Sequence, residues 1–147
     1  MLLNEYAHKN DYEVSREMYC RGTRGNKVKP DGILKNRWGL DVGYWESKDE
    51  KDVIDDEIDA KIKKGYPLSN TLFEDSQAAV LFQRGEEVMR VSVRDADKLH
   101  DILTRFISYK SESVHKFEDA LVQFKNDIPA ILETLRKRID EAGKNNA

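Results

Sequence analysis

Apolar and polar residues alternate in a strand-like pattern from Asp31 onward. Asp31–Lys35 and Leu40–Lys48 are short runs of apolar, branched and aromatic residues, and the turn-forming segment Asn36–Gly39 separates them. Such runs on either side of a turn cluster are typical of a β-hairpin. Two further runs, at 78–83 and 87–93, flank a glycine-containing turn and predict a second hairpin.

A helical period follows each hairpin. From Asp52 onward, Ile54, Ile58 and Ile62 are four residues apart, which places them on one face of a helix that ends at Gly65. Asp95 is the predicted N-cap of the next helix. The apolar side of that helix consists of Leu99, Ile102, Leu103, Phe106 and Ile107.

The two ends of the chain have weaker or longer patterns. Residues 1–20 predict an N-terminal helix or a pair of turns, and the glycine- and base-rich residues 21–29 predict a loop. The last third predicts a long helix that Pro129 kinks or restarts, with Asp127 as a candidate N-cap. Its apolar seam consists of Val114, Phe117, Leu121, Phe124, Ile128, Ile131 and Leu135. Because the seam spans only three heptads, packing onto the domain's own body is favoured over a coiled-coil partner.

The order of elements predicts the fold class. Helix, hairpin, helix, hairpin and two helices are best accommodated by a mixed β-sheet flanked by helices on one or both faces, an α/β fold. We expect a core domain over residues 1–110 and a C-terminal helical extension over 111–147. The extension would pack on the core or dock to further domains.

Composition limits the class of protein. The 147 residues, 39% of them hydrophobic, suffice for one compact domain with a real core. The single cysteine, Cys20, excludes an internal disulfide framework and fits a reducing cytoplasm. No apolar run approaches the roughly 20 residues of a membrane helix, and Met1 leads into no signal-peptide pattern. We therefore expect a soluble, cytoplasmic protein without a membrane partner.

Charge is distributed unevenly although the net charge is only −3. Residues 21–37 are basic, with Asp31 as their single acid, and residues 46–59 are acidic apart from Lys48 and Lys51. Two solvated surface segments would explain this pattern, but adjacent charge of opposite sign is also what a binding site shows. The basic residues are Arg21, Arg24, Lys27, Lys29, Lys35 and Arg37.

Three residues of the first hairpin form a candidate catalytic group. Residues i and i+2 of a strand point to the same face, so Glu46 and Lys48 share a side, and the hairpin brings Asp31 alongside them. Two converging carboxylates suit a hard cation such as Mg²⁺, and the backbone carbonyl of Ser47 is a further candidate ligand. A cation there, with a lysine beside it, provides what phosphodiester hydrolysis requires.

These residues resemble a known signature. Pro30-Asp31, followed by Glu46-Ser47-Lys48, matches the motif of the PD-(D/E)xK nucleases, whose family uses these positions as two metal ligands and a catalytic lysine. From about Lys29 to Leu135, the chain resembles the N-terminal nuclease segment of single-chain type I-like (type ISP) restriction–modification enzymes. The stretches that carry this resemblance are Lys29–Leu34, Gly43–Asp49, Asp55–Ile58 and Lys63–Asp75.

The resemblance implies a restriction-endonuclease-like fold and Mg²⁺-dependent cleavage of double-stranded DNA, with Mn²⁺ as a substitute metal. It also implies helicase and methyltransferase domains in a larger polypeptide, although neither a GxxxxGK[ST] loop nor an Asn-Pro-Pro-Tyr motif occurs in this sequence. We therefore expect a fragment or a stand-alone relative. The oligomeric state, the recognition sequence and the trigger of cleavage do not follow from the sequence.

Two positions depart from patterns found in relatives. Many carry Gln-x-x-x-Tyr on the following helix; Tyr66 is present as a candidate DNA contact, but Ile62 replaces the glutamine. Some draw a metal ligand from a glutamate on the first helix, for which Glu17 and Glu13 are candidates, although solvated surface acids are the simpler interpretation. The acidic run should repel a phosphate backbone, so the predicted DNA contacts are Arg21, Arg24, Lys27, Lys29 and Arg37.

Two other classes of function stay open. The chain would be a non-catalytic or partner-dependent DNA-binding or assembly module if the seam docks to another domain. It would be a purely structural α/β domain if Lys48 only forms a surface ion pair with Glu46 or Asp31. Such surface pairs contribute only about 0–1 kcal/mol to the free energy of unfolding, so a gain in stability would hardly explain why these residues are clustered.

Overall fold

The computed structural model describes residues 2–49 and 53–145, which form two compact units, the first ending at Ser111 and the second beginning at Glu112. The first unit comprises α1 (Leu2–Lys9), β1 (Glu13–Arg16), β2 (Cys20–Arg21), β3 (Lys27–Val28), β4 (Gly32–Lys35), β5 (Asp41–Ser47), α2 (Ile54–Lys63), β6 (Asn70–Glu74), β7 (Ala78–Gln83), β8 (Glu86–Ser92) and α3 (Ala96–Ser108). The second unit is the helix α4 (Glu112–Asn145).

Six strands form one mixed sheet in the order β1-β4-β5-β6-β7-β8. The β5–β6 pair is parallel and the other neighbours are antiparallel. The parallel pair arises because α2 connects β5 to β6 as a crossover. Strands β2 and β3 form a separate small hairpin. The predicted mixed α/β sheet flanked by helices is confirmed.

Turn chemistry explains both predicted hairpins. In the turn between β4 and β5, the side-chain oxygen of Asn36 accepts hydrogen bonds from the backbone N–H groups of Trp38 and Leu40, each 3.0 Å long. Between β7 and β8, Arg84 and Gly85 have φ angles of 55° and 85°, the left-handed pair of a type I′ turn. Both hairpins therefore form where the sequence predicts them.

Helices cover both faces of the sheet. On one face, Ile54 and Ile58 of α2 pack against Phe73 and Val80. On the other face, the ring of Phe106 in α3 approaches Gly43 so closely that an added Cβ would lie 2.8 Å from it. The N-cap predicted for α3 is present, because the Asp95 side chain accepts a hydrogen bond from the Lys98 N–H. The two faces have separate apolar layers, and β5 contributes side chains to both.

The predictions for the first 29 residues are partly wrong. The N-terminal helix ends at Lys9, and Glu13–Arg16 is the edge strand β1, paired with β4. The segment predicted as a loop contains the β2–β3 hairpin. Short polar strands have little apolar alternation of their own, so pairing with a neighbouring strand decides their conformation.

Two other elements differ from expectation. The strand β6 was not predicted, because Asn70–Glu74 is short and its burial comes from neighbours on both sides. The helix α2 begins at Ile54; Asp52, from which it was predicted, lies outside the described residues, as do Glu50 and Lys51 of the acidic run.

The helix α4 runs through Pro129 without interruption, so the predicted restart is wrong. Asp127 is not an N-cap, since its carboxylate accepts a hydrogen bond from the Gln123 side chain. Proline removes one N–H donor, and the turns on either side of it keep the helix continuous. Much of the seam is exposed, including Phe124 at 58% and Leu135 at 50%, and what covers it stays a prediction. Within residues 2–49 and 53–145, no helix has the length and apolarity that crossing a membrane would require.

Candidate active site

Asp31 and Glu46 face each other across the β4–β5 pair. Gly32 lies opposite Trp45 in the antiparallel register, so the residue before Gly32 is next to the residue after Trp45. Side chains at opposed positions share a face of the sheet, with Cβ atoms about 5 Å apart. The Asp31 carboxylate also accepts a hydrogen bond of 2.8 Å from the Ser47 N–H. The structure thus brings the two predicted carboxylates together.

Glu46 is fully buried; among the described residues its Oε1 has no hydrogen-bond partner, and its Oε2 contacts the Lys61 ammonium. Burial, and then the negative charge of Asp31, raise the pKa of Glu46 to about 7, although Lys61 and Lys48 oppose the shift. Buried polar groups in native proteins almost always have partners. A buried carboxylate with vacant acceptor positions is therefore a candidate cation ligand.

The helix α2 places opposite charges against the end of β5. Lys48 Nζ lies 2.7 Å from Glu57 Oε1, and Lys61 Nζ lies 3.2 Å from Glu46 Oε2. Glu57 and Lys61 are four residues apart and thus share one helix face. Because both contacts reach the same helix, Glu46 and Lys48 point to the same side, as strand periodicity predicted. The hydrogen bond from Lys48 is the main cause that lowers the pKa of Glu57.

Lys61 also contacts Tyr66, the residue predicted to touch DNA. Its ammonium donates to the Tyr66 hydroxyl at 3.2 Å and lies 4.4 Å from the ring centroid. The hydroxyl in turn donates to the Lys29 carbonyl at 3.1 Å, and Tyr66 is buried. Burial lowers the pKa of Lys61, but the hydrogen bond to Tyr66 and the charge of Glu46 outweigh this effect and raise it. Tyr66 is therefore engaged in the site's interior, and its role as a DNA contact stays a prediction.

Lys61 and Glu57 were missed by sequence reasoning. The usable signal was an acid and a base four residues apart on the helix that follows the Glu-x-Lys motif, in a spacing that can pair with both motif residues. This signal is weak in a segment with eight acids between residues 46 and 59, because many such pairs can be drawn.

The predicted basic contacts are divided between two ends of the first hairpin. Arg21, Arg24, Lys27 and Lys29 lie in or beside the β2–β3 hairpin, which precedes Asp31 in the chain. The Arg24 guanidinium donates to the Lys63 carbonyl, which ties this hairpin to the end of α2. Arg37 is in the β4–β5 turn, at the other end of the four-residue strand β4 from Asp31 and about 15 Å from it. The length of β4 therefore separates Arg37 from Asp31.

Glu17 does not lie on the first helix, which was the premise for its assignment as a metal ligand. It follows β1 with a φ of 57°, its side chain is 81% exposed, and it pairs with Lys29 at 3.6 Å. Glu13 lies within β1 opposite Lys35. The helix expected at these positions ends at Lys9, because β1 gains backbone hydrogen bonds from the edge of β4.

Cys20 lies close enough to the site for its titration to be affected. Burial raises the pKa of this thiol to about 11, and the charges of Asp41 and Glu46 contribute. A thiol with this pKa is protonated at neutral pH, and the thiolate is the form that attacks or binds metal. The raised pKa therefore disfavours Cys20 as a nucleophile of this site.

The donors present fit a hard divalent cation. Among residues 2–49 and 53–145, no cluster of three or more His, Cys, Asp or Glu side chains forms a ready metal cage. Mg²⁺ does not require one, because it commonly binds through one or two carboxylates and keeps several waters. The Glu46 carboxylate, whose Oε1 has no hydrogen-bond partner, and the neighbouring Asp31 carboxylate meet that requirement.

Comparisons with known proteins agree with this geometry. The cryo-electron microscopy structure of a DrdV–DNA complex matches 96% of this chain at 43% sequence identity, with a TM-score of 0.75. The chain spans 14% of the length of that protein. A presumed nuclease of DUF820 from Anabaena variabilis matches 73% of this chain and 74% of its own at 10% identity, with a TM-score of 0.47, too low to support an argument.

No protein-family model matches the chain, and neither does any curated protein. The DrdV likeness nevertheless extends over nearly the whole chain, and its identity is well above the level at which only the fold is shared. The six-stranded mixed sheet, the flanking helices and the long C-terminal helix all agree with the expectation from the motif. The chain therefore has the restriction-endonuclease-like α/β fold of the PD-(D/E)xK nuclease superfamily.

Proposed function

We propose that this chain is the endonuclease domain of a restriction–modification enzyme and hydrolyses DNA phosphodiester bonds with Mg²⁺, for which Mn²⁺ can substitute. One observation carries the proposal: the Glu46 carboxylate is buried, with no hydrogen-bond partner on Oε1 and only the Lys61 ammonium on Oε2, directly beside Asp31 and on the same side as Lys48. This arrangement occurs in a fold that belongs to nucleases. A buried, unsatisfied acid costs stability, and a binding role explains why it is kept.

Each residue has a distinct task in the proposed reaction. Asp31 and Glu46 would hold the metal, together with the Ser47 carbonyl. The bound cation would lower the pKa of water and neutralise charge that develops on the phosphate. Lys48 orients the attacking water or stabilises the transition state, and Glu57 holds its ammonium at 2.7 Å until DNA enters. On DNA binding, the Lys48 ammonium would therefore exchange the Glu57 carboxylate for a DNA phosphate as its ionic partner.

DNA as the substrate is supported by two features. DrdV, similar to this chain at 43% identity, was determined as a complex with DNA. The β2–β3 hairpin, which precedes Asp31 in the chain, carries the exposed residues Arg21 and Lys27. Exposed basic side chains attract a phosphate backbone. The chain spans 14% of DrdV, so helicase and methyltransferase domains in a longer polypeptide are part of the proposal.

The test replaces the proposed catalytic residues without altering the shape of the site. We expect Asp31→Asn and Lys48→Met each to lower Mg²⁺-dependent nicking of plasmid DNA by about 100-fold or more, the scale of removing a group that acts in the transition state. The matched controls are Asp41→Asn and Lys35→Met, which remove a surface ion pair from the same two strands. The controls should retain activity within about twofold.

Folding of every variant is verified by circular dichroism before activity is compared. Nicking that persists unchanged in a folded Asp31→Asn variant would remove this residue from the mechanism. Activity without added divalent metal, in the presence of a chelator, would refute the metal dependence.

A second candidate function is a module that acts only when docked to a partner domain. The exposed apolar side chains of α4 favour it, since Val122, Leu132 and Ile139 are 59–70% exposed. Light scattering with and without DNA separates the two candidates. A chain that neither binds DNA at low salt nor nicks plasmid, although it is folded, would support the dependent module.

A further inference from the structure

We propose that Lys61 is a tethered counter-ion that occupies the cation position beside Glu46 in the metal-free protein and gives way when a divalent metal binds. The inference rests on the proposed metal site and adds a positioning residue from α2 to it. It follows from three observations: the burial of the Glu46–Lys61 pair, the second set of contacts made by Lys61, and the charge that a metal would bring.

The burial of this ion pair distinguishes it from the others at the surface. The Glu46 side chain is 1% exposed and the Lys61 side chain 11%, whereas the pairs within α4 are more than 60% exposed. A buried carboxylate without any counter-charge is strongly unfavourable. Lys61 Nζ, at 3.2 Å from Oε2, provides that charge and leaves Oε1 without a hydrogen-bond partner. The carboxylate is thus neutralised and still has vacant positions for a ligand.

The second set of contacts allows Lys61 to leave Glu46 without losing all its partners. Its ammonium already donates to the Tyr66 hydroxyl at 3.2 Å and lies 4.4 Å from the Tyr66 ring centroid. Tyr66 is itself fixed by its hydrogen bond to the Lys29 carbonyl. A lysine side chain has four rotatable bonds, so its head group can withdraw toward the ring while the stem stays buried. Tyr66 therefore acts as the tether.

A metal on Glu46 makes withdrawal favourable. Mg²⁺ binds carboxylate oxygen at about 2.1 Å, which would place it within roughly 5 Å of an ammonium that contacts the same group. The doubly charged metal ion and the singly charged Lys61 ammonium repel each other strongly at that separation in a partly buried site. Metal binding therefore disfavours the contact between Lys61 and Glu46, and the protein's own cation competes with the metal.

The experiment measures metal affinity directly, without DNA and without turnover. Mn²⁺ binding to the 147-residue chain at pH 8 is followed by electron paramagnetic resonance. We expect Lys61→Met to bind Mn²⁺ about tenfold more tightly than the original protein, because the competing charge is gone. Lys61→Arg, which keeps the charge, should not bind more tightly. The matched control is Lys63→Met, an exposed lysine on the same helix, which should leave affinity unchanged.

A second readout follows the metal-free state. Lys61→Met should lower the metal-free Tm, since Glu46 loses its counter-ion, and should do so much less when Glu46→Gln is also present. Should Lys61→Met fail to fold, Lys61→Gln gives the same comparison, because it retains a polar partner for Tyr66.

The outcomes separate this inference from the proposed function. Metal binding by the original protein, with equal or weaker binding by a folded Lys61→Met variant, overturns the counter-ion role and leaves the metal site in place. No Mn²⁺ binding by the original protein overturns both the proposed metal site and the inference. Tighter binding by Lys61→Met, abolished by adding Asp31→Asn, supports both.

Discussion

Asn70 and Glu46 are two buried polar side chains on neighbouring strands, and they face opposite sides of the sheet. Glu46 is paired in register with Phe73, which packs against α2, whereas Asn70 alternates to the face of α3. The Asn70 amide donates to the carbonyls of Val42 and Phe106, at 2.9 Å each, and its oxygen accepts from Gln83 at 3.0 Å. Glu46 contacts only the Lys61 ammonium, through Oε2, and its Oε1 has no hydrogen-bond partner.

The difference between them separates a polar group with a structural role from one for which we propose a binding role. Asn70 links β5, β6, β7 and α3 through its hydrogen bonds, so it stabilises the α3 face. Glu46 has equal burial but lacks such bonds, and this absence makes it available to a cation. Burial alone therefore does not suggest a binding role, whereas burial with an unsatisfied acceptor is the observation on which the proposed role of Glu46 rests.

The largest expected effect tests the structural half of this comparison. Asn70→Ala should lower the free energy of unfolding by about 3 kcal/mol, because it leaves two buried carbonyls and the Gln83 amide with fewer partners. Glu46→Gln, equally buried on the other face, is the matched variant and should keep stability at pH 8 or raise it. Urea unfolding measures both. Equal destabilisation by the two substitutions would contradict the distinction drawn between them.

The pH dependence of stability tests the other half. The pKa of Glu46 rises from 4.5 to about 7 in the folded protein, so the native state binds its proton more tightly than the unfolded state. The protonated Glu46 thereby contributes to the free energy of unfolding. This stabilisation is fully present below pH 4.5 and is lost as the pH rises toward 7, in total on the order of 3 kcal/mol. Urea unfolding of the metal-free protein between pH 5 and pH 8 should show this loss. In Glu46→Gln it should be absent; a loss of equal size there would assign it to other groups.

The smallest expected effect concerns which face meets DNA. Lys27 lies in the β2–β3 hairpin. A hydrogen bond from the Thr23 N–H to the Gly65 carbonyl joins this hairpin to the end of α2, on the face of the sheet that carries Glu46. Lys27→Ala should weaken DNA binding several-fold and reduce the salt dependence of log K by about 1. Lys98→Ala, an exposed lysine on α3 on the Asn70 face, should change neither. Fluorescence anisotropy at several salt concentrations measures both, and equal effects would refute the assignment of the binding face.

The elements with strong local signals were predicted well. The turn at Asn36 and the turn at Arg84 fixed two hairpins, and isoleucines four residues apart fixed α2. The position of Asp31 beside Glu46 followed from strand periodicity and the hairpin register. By contrast, β1 and β6 have few distinguishing residues, since their conformation depends on hydrogen bonds from strands distant in sequence.

The sequence by itself determined the α/β class, the first hairpin and the placement of Asp31 beside Glu46, with Lys48 on the same side. It could do so because turns and periodicity act over a few residues. Tertiary structure decided the parallel pairing of β6 with β5 and the burial of Glu46. It also decided that Lys61 and Glu57 lie against the motif. These features depend on how α2 folds back across the sheet, where packing of Ile54 and Ile58 fixes the helix and thereby positions its charges. No short-range pattern contains that information, since ion pairing in the interior depends on distances that only the assembled layers define.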